Sequence, residues 1–301
     1  MTLRYSVLAS GSSGNSSLLE VNDFGVLIDV GVGPRLLASR LTALGRSLNN
    51  VHAVVLTHTH ADHWNERTLA FLRERGIALY CHPDHCTTLV AASSTFAKLR
   101  HARLVHEYEP SRAIKLSPRM TCTPFSVRHD DTTCGFRFDA TAGDTDSRKS
   151  VGYAADLGCW DQEIVSALAD VDVLALEFNH DVALERASGR SNELILRVLG
   201  NDGHLSNDQA AELLREVLLR SPNARLRHLV QLHLSRQCNR VELAIAAARA
   251  VVAELQAEMT IHTAMQFRAG PCLIVSHRSS GSVPLRIVES PYVQAMLPGW
   301  E

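Results

Sequence analysis

Short apolar runs separated by turn residues dominate the first half of the chain. Runs of this length, bounded by Gly, Asn or Asp, are typical of β-strands. They predict strands at residues 5–9, 17–21, 26–30, 53–56, 78–80, 121–127, 135–138 and 151–155. Pro34 begins a predicted helix that extends to about residue 44, because proline is favoured at the first helical position. Apolar positions at helical spacing predict a second helix over 64–75.

The second half of the chain repeats this mixture of strands and helices. Strands are predicted at residues 171–176 and 229–232. Helices are predicted at 161–169, from the capping residue Ser206 to about 219, and at 241–255. Strands followed by helices, twice over, predict two sheets packed face to face with helices outside. The polar segment 141–150 is expected to form a hairpin tip.

Composition and charge narrow the class of protein. A chain of 301 residues is long enough for one large domain or two small ones. The formal net charge of −2 gives no argument for nucleic-acid binding. The seven cysteines are scattered without a CxxC pair, which is unlike a secreted disulfide framework. The chain has neither a signal-peptide pattern nor a long apolar run, so we expect a cytoplasmic protein without a membrane partner.

Candidate metal ligands are concentrated in the run Thr57-His58-Thr59-His60-Ala61-Asp62-His63. Imidazole suits zinc and neighbouring transition metals, and a carboxylate adds a hard, negatively charged oxygen. His58 and His60 point to the same side of an extended segment. Asp62 and His63 fall where the chain turns into a helix and can face a second position. A polar surface loop is the alternative interpretation, but this density of ligand-type side chains argues against it.

This run fits the HxHxDH signature, and the chain resembles the metallo-β-lactamase fold superfamily over residues 3–270. The resemblance implies an α/β fold, a four-layer αββα sandwich with metals at one edge between the sheets. It implies a single domain over 1–301 with a C-terminal extension at about 279–301. It also implies further ligands at strand ends, which His129, Asp156 and His233 match in order. One metal would take His58, His60, His129 and Asp156, and the other Asp62, His63, Asp156 and His233.

Other motifs resemble the YycJ/WalJ-type subgroup, which is associated with exonuclease activity on DNA. They are GSSGNS at 11–16, NHD at 179–181, GHLSN at 203–207 and HLS at 233–235. The subgroup usually has Asn-Asn near the last motif, whereas this chain has Cys238-Asn239. That departure weakens any role assigned to these two positions.

The resemblance and the motifs suggest roles for residues around the metals. Asp29 matches a position that orients ligands, although a turn-capping Asp is the alternative. The Gly/Ser loop could offer N–H groups and hydroxyls to a phosphate, or simply form a hairpin turn. Asp62 and either His180 or His204 are expected to be catalytic, with an imidazole protonating the leaving oxygen. Contacts to the ligands or the substrate are expected from Ser10, Ser13, Asn15 and Asn179.

A second histidine- and cysteine-rich run, Cys81-His82-Pro83-Asp84-His85-Cys86, superficially suggests another metal site. Pro83 should end the strand and begin a helix, which would scatter the four side chains. Without a partner pattern, we expect the remaining isolated histidines to be surface or structural residues.

These observations predict a hydrolase with two divalent cations, zinc or manganese, with iron also compatible with the donors. A hydroxide bridging the two metals would attack phosphorus, while the cations neutralise developing charge. The expected activity is that of a phosphodiesterase, most specifically a DNA exonuclease. The alternatives are a small-molecule hydrolase acting on a thioester, lactone or cyclic phosphodiester, and a non-catalytic metal-binding protein. The sequence does not predict an oligomeric state.

Overall fold

The computed structural model describes residues 1–141 and 148–275, which form two β-sheets with helices on their outer faces. The strands are β1 (Leu3–Ala9), β2 (Ser16–Val21), β3 (Phe24–Ile28), β4 (Val51–Val55), β5 (Ala78–Cys81), β6 (Val105–Glu107), β7 (Ile114–Ser117), β8 (Met120–Val127), β9 (Thr133–Ala140), β10 (Lys149–Ala154), β11 (Val173–Glu177), β12 (His228–Leu232), β13 (Thr260–Thr263) and β14 (Leu273–Val275). The helices are α1 (Pro34–Ala43), α2 (Glu66–Arg75), α3 (Pro83–Ala92), α4 (Ser94–His101), α5 (Gln162–Leu168), α6 (Val182–Arg186), α7 (Asn192–Leu199), α8 (Asn207–Leu219) and α9 (Val241–Glu254).

Each sheet combines an antiparallel half with a parallel half. The first has the order β14-β1-β2-β3-β4-β5-β6, and the second β13-β12-β11-β10-β9-β8-β7. Strands β3 to β6 run parallel, as do β10 to β13. Parallel strands end at the same edge of a sheet, so residues that follow β3, β4, β10, β11 and β12 can gather at one edge.

Successive side chains along a strand point to opposite faces of the sheet, and this alternation determines which layer each side chain joins. In β11, Val173 and Ala175 join the core between the sheets, whereas Leu174 and Leu176 pack outward. The outward residues contact apolar positions of α5, α8 and α9, and those of the first sheet contact α1 to α4. The result is the four-layer αββα sandwich that the resemblance implied.

The predicted elements are present, with boundaries shifted by a few residues. The third strand ends at Ile28, two residues before its predicted end at residue 30, because Asp29 adopts a left-handed φ of 62°. Pro83 begins α3, as predicted. The short elements β6, β7, β13, β14, α4, α6 and α7 were not predicted, since short segments carry little periodic signal.

Residues 142–147 of the predicted hairpin tip and the C-terminal extension at 279–301 lie outside the described residues. The single-domain assignment of 1–301 therefore stays a prediction. In the described part of the chain, no helix combines the length and apolarity needed to cross a membrane.

The loop after β3 packs directly on the histidine run, which gives a test of how the fold positions that run. A Cβ added at Gly31 would lie 1.7 Å from the carbonyl oxygen of Asp62. We expect Gly31→Ala to displace the Asp62 backbone and lower metal content, because backbone atoms cannot move aside cheaply. Metal content by elemental analysis and the unfolding midpoint would be measured together.

Gly33→Ala is the matched control, because a Cβ there meets nothing within 4 Å. It should keep full metal content and cost at most about 1 kcal/mol, since Gly33 is the N-cap of α1. Equal metal content in both variants would contradict the proposed packing constraint.

Candidate metal centre

Strand ends deliver two predicted ligands, Asp156 and His233, and the predicted orienting residue Asp29 to one edge of the sandwich. Asp29 follows β3 directly, and His233 follows β12, while Asp156 lies two residues beyond β10. All three adopt left-handed backbone angles, with φ of 62°, 53° and 57° respectively. Such conformations in residues other than glycine cost about 1–3 kcal/mol and persist where surrounding contacts hold them. The backbone is therefore constrained at the points where it aims these side chains.

One group of donors consists of His58, His60 and His129. One ring nitrogen from each lies within 4.8 Å of the others. The Nε2 atoms of His58 and His129 are buried and make no hydrogen bond, although His129 Nε2 lies 3.1 Å from Asp130 Oδ1. Buried polar groups are normally satisfied, so two such imidazole nitrogens within 4.8 Å of each other fit the binding of a cation.

A second group consists of Asp62, His63 and His233, again with donor atoms within 4.8 Å. Asp156 lies between the groups, because it also clusters with His58 and His63, one residue from each. Its Oδ2 is buried without a hydrogen-bond partner and lies 3.1 Å from His63 Nε2. His233 Nε2 is likewise buried without a hydrogen bond and lies 3.5 Å from Asp62 Oδ2.

In three of these histidines, the other ring nitrogen, Nδ1, donates a hydrogen bond to an acceptor within the protein. His63 Nδ1 donates to Asp29 Oδ2 at 2.8 Å, and His129 Nδ1 to the Gly203 carbonyl at 2.9 Å. His233 Nδ1 donates to Glu177 Oε1 at 3.1 Å. Fixing Nδ1 in this way leaves Nε2 aimed at the cluster, which is the usual arrangement for histidines that bind metal.

The electrostatics of the cluster also fit a cation. Burial and the neighbouring His63 hold the pKa of His58 well below its usual value, which favours the neutral form that binds metal. Burial alone would lower the pKa of His63, but the carboxylates of Asp29 and Asp156 raise it to about 10. Without a cation, these carboxylates hold a proton on His63. A bound divalent cation would stabilise the same carboxylates in place of that proton.

The Gly/Ser loop at residues 10–16, which joins two strands of the first sheet, forms hydrogen bonds with the cluster. Asn15 Nδ2 donates to Asp62 Oδ2 at 3.1 Å and lies 2.9 Å from His63 Nε2. Ser10 Oγ accepts from the His233 backbone N–H at 2.8 Å. Ser13 is exposed, and its N–H donates to Gln266 instead.

The backbone N–H groups of that loop are engaged within the protein. Those of Gly11, Ser13, Gly14 and Asn15 bond to Asn15, Gln266, Gly11 and Asp62. The loop therefore supports ligands and does not hold these donors free for a phosphate. From the second sheet, Asn179 Nδ2 donates to the His233 carbonyl at 2.8 Å and supports the same ligand.

Glu177, which sequence reasoning did not select, joins two imidazoles. Its Oε1 accepts from His204 Nδ1 at 2.9 Å and from His233 Nδ1 at 3.1 Å. Burial would raise the pKa of Glu177, but the two imidazoles lower it to about 2. The sequence does carry a signal for Glu177. It is a charged residue at the end of the otherwise apolar strand β11, two residues before Asn179.

The two candidate general acids differ in where the structure places them. The His204 ring lies between those of His129 and His233, with centroids 5.0 and 5.2 Å away. His180 is completely buried, and neither of its ring nitrogens has a hydrogen-bond partner. Only His204 combines partial exposure with contact to the predicted ligands.

Asp130 and Asp131, also missed from the sequence, lie beside the first group. Asp130 Oδ1 is 3.2 Å from His60 Nε2 and 3.1 Å from His129 Nε2, and Arg197 pairs with its other oxygen. Asp131 accepts from the backbone N–H and the hydroxyl of Thr59. Their position directly after His129 was the available signal.

The Cys81–Cys86 run does not form a metal cluster among the described residues. The two thiols nevertheless stay together, with their sulfurs 3.4 Å apart, so the expected scatter does not hold for them. The two histidines are 5.6 Å apart between ring centroids.

The amino-acid sequence matches a known protein family over the segment that contains this cluster. The family model of the β-lactamase superfamily domain matches residues 25–233. The chain is 29% identical over 242 residues to exodeoxyribonuclease WalJ of Streptococcus pneumoniae, covering 80% of this chain and 85% of that protein. It is 24% identical over 261 residues to exodeoxyribonuclease YycJ of Bacillus anthracis, covering 84% and 90%.

A solved structure shows the same fold. The metallo-β-lactamase fold protein YhfI from Bacillus subtilis superimposes with a TM-score of 0.62 at 17% identity, covering 90% of this chain and 99% of that protein. Fold, relatives and the histidine–aspartate cluster together define a hydrolytic enzyme with a divalent-metal site. The chain belongs to the β-lactamase superfamily.

Replacing Asp29 tests whether its carboxylate supports metal binding. Asp29→Asn cannot fully accept the three donors that reach it, namely the N–H and hydroxyl of Thr57 and Nδ1 of His63. We expect metal affinity to fall about 10- to 100-fold, because loss of such supporting contacts typically has this effect. Competition against a chelator of known affinity would measure it.

Asp23→Asn, at an exposed turn position, is the control and should leave metal affinity unchanged. Unchanged affinity in Asp29→Asn as well would show that the buried carboxylate only stabilises the fold.

Proposed function

We propose that this enzyme is a phosphodiesterase that removes nucleotides from DNA ends, with two divalent cations, zinc or manganese, at its active site. The observation that carries the proposal is the pair of donor groups joined by Asp156. The similarity to the exodeoxyribonucleases WalJ and YycJ supports DNA as the substrate. Iron is compatible with the same donors.

The ligands divide between the two ions by position. His58, His60 and His129 would hold the first ion, and Asp62, His63 and His233 the second. Asp156 would bridge them, which is supported by its position within 4.8 Å of His58 from one group and His63 from the other. When bound, the cations supply an activated water and stabilise negative charge on the phosphate.

The protein's own residues would orient and protonate the reacting groups. Glu177 fixes His204 through Nδ1, which leaves Nε2 for the substrate. Burial lowers the pKa of His204, but Glu177 and Asp156 outweigh it and raise the pKa above its usual value. A protonated His204 is suited to donate a proton to the leaving oxygen.

Two exposed arginines that lie close in sequence to the predicted ligand His233 offer positive charge that the net charge of −2 does not suggest. Arg236 and Arg240 lie in the segment that follows His233 and are exposed. Guanidinium groups suit phosphate contacts, so this rim favours a polyanionic substrate. The cytoplasmic location predicted above stays a prediction.

A substrate panel tests the proposed function. The metal-loaded protein would be given 5′-labelled single- and double-stranded DNA beside thioester, lactone and cyclic phosphodiester substrates. We expect nucleotide release from DNA, and Asp62→Ala and Asp156→Ala should abolish it because each removes a ligand. Elemental analysis should find close to two metals per chain in the wild type.

Folding of both variants would be checked by circular dichroism, so that lost activity can be assigned to the site. Thioester or lactone cleavage without nuclease activity would favour a small-molecule hydrolase instead. Metal binding without any turnover would favour a non-catalytic metal-binding protein.

Two substrates whose leaving groups differ in their need for a proton distinguish proton donation by His204 from a structural role. His204→Gln should lower kcat on DNA by about 10²- to 10⁴-fold, the usual contribution of a general acid. On a nitrophenyl phosphodiester the loss should be much smaller, since nitrophenolate leaves without a proton. His180→Gln, at the buried candidate position, should affect both substrates equally. The same loss on both substrates for His204→Gln would exclude it as the acid.

A further inference from the structure

Phe267 stands out among the side chains that neither the core nor the metal centre uses. It is 66% exposed. Within residues 1–141 and 148–275, it is the only Phe, Tyr or Trp with most of its surface in solvent. Single exposed apolar residues are common, so exposure alone assigns no role. Its position in the structure is what indicates a role for Phe267.

Its neighbour Gln266 fixes this segment to the rim of the metal centre. Gln266 Oε1 accepts from the Ser13 N–H at 3.0 Å, and Gln266 Nε2 donates to the Gly14 carbonyl at 2.9 Å. The next residue in that loop, Asn15, contacts Asp62 and His63. A short series of hydrogen bonds thus connects the segment of Phe267 to the predicted ligands.

The segment that follows His233 supplies a cation beside this ring. The guanidinium carbon of Arg236 lies 4.9 Å from the centroid of the Phe267 ring. Arg236 follows the predicted ligand His233 by three residues. The arginine covers only part of the ring, because most of the Phe267 surface is exposed. An open aromatic face beside a guanidinium combines the two groups that bind unpaired nucleotides.

We propose that Phe267 and Arg236 form a stacking platform for an unpaired base next to the phosphate that is cleaved. This inference rests on the proposed function and makes its substrate more specific, namely a nucleic acid whose reacting end is single-stranded. A base within a duplex is already stacked and paired, so it cannot reach the ring without the end opening. Stacking uses the face that every base has, so the platform tolerates any sequence.

Kinetics on single-stranded oligonucleotides test the platform. Phe267→Ala should raise KM roughly tenfold with little change in kcat, as expected for loss of one stacked base. Phe267→Trp should keep a KM near that of the wild type. A nitrophenyl phosphodiester without a base should be hydrolysed equally by all three proteins.

Leu219→Ala is the matched control, since Leu219 is 59% exposed. It lies at the far end of α8, about 20 Å from the first residue of that helix at the site edge. It should leave every parameter unchanged. A general effect of removing exposed apolar surface would appear in both alanine variants and would overturn the inference.

Oligonucleotides with a single abasic position identify stacking directly. Wild-type KM should rise at one position near the cleaved end, whereas Phe267→Ala should be insensitive to the abasic site there. If both proteins cleave DNA and respond equally at every position, the platform is wrong while the proposed function stands. If the wild type cleaves the nitrophenyl diester but no nucleic acid, the proposed DNA substrate and the platform both fail.

Discussion

One buried carboxylate, Asp29, ties the first sheet to the histidine loop. Its Oδ1 accepts from the Thr57 N–H at 2.8 Å, and its Oδ2 accepts from His63 Nδ1 at 2.8 Å. Burial raises the pKa of Asp29, and the contacts with His63 and Thr57 oppose that shift. A carboxylate without these donors would be costly to bury. The carboxylate and the loop therefore hold each other in place, and the rest of the metal centre is built against that pair.

The second sheet contributes a comparable carboxylate in Glu177. It holds His233, a predicted ligand, and His204, the candidate proton donor, through the same oxygen. A shift of this side chain would alter metal binding and proton transfer together. Between the two carboxylates, Asp156 occupies a strained left-handed position where both donor groups meet. The packed sheets on either side supply the rigidity that such positions require.

The surroundings of the centre bear on how a protein of net negative charge would bind the polyanion proposed as its substrate. Metal ions would supply the strongest local positive charge, and exposed arginines after His233 extend it along the rim. Local charge of this kind matters more for a bound phosphate than the sum over the chain. Phe267 adds a surface for a base on the same rim.

The sequence by itself determined the chemistry of the site and the order of its elements. The run from His58 to His63 indicates a metal by its density of ligand-type side chains, and the family resemblance then pointed to the strand-end residues His129, Asp156 and His233. Short strands such as β13 and β14 gave no comparable signal, since their stability comes from pairing with distant neighbours. The partnership of Glu177 with His204, and the separation of His204 from the buried His180, depend on contacts between distant segments. Local patterns specify which groups are present, whereas only the packing of the two sheets decides which of them meet.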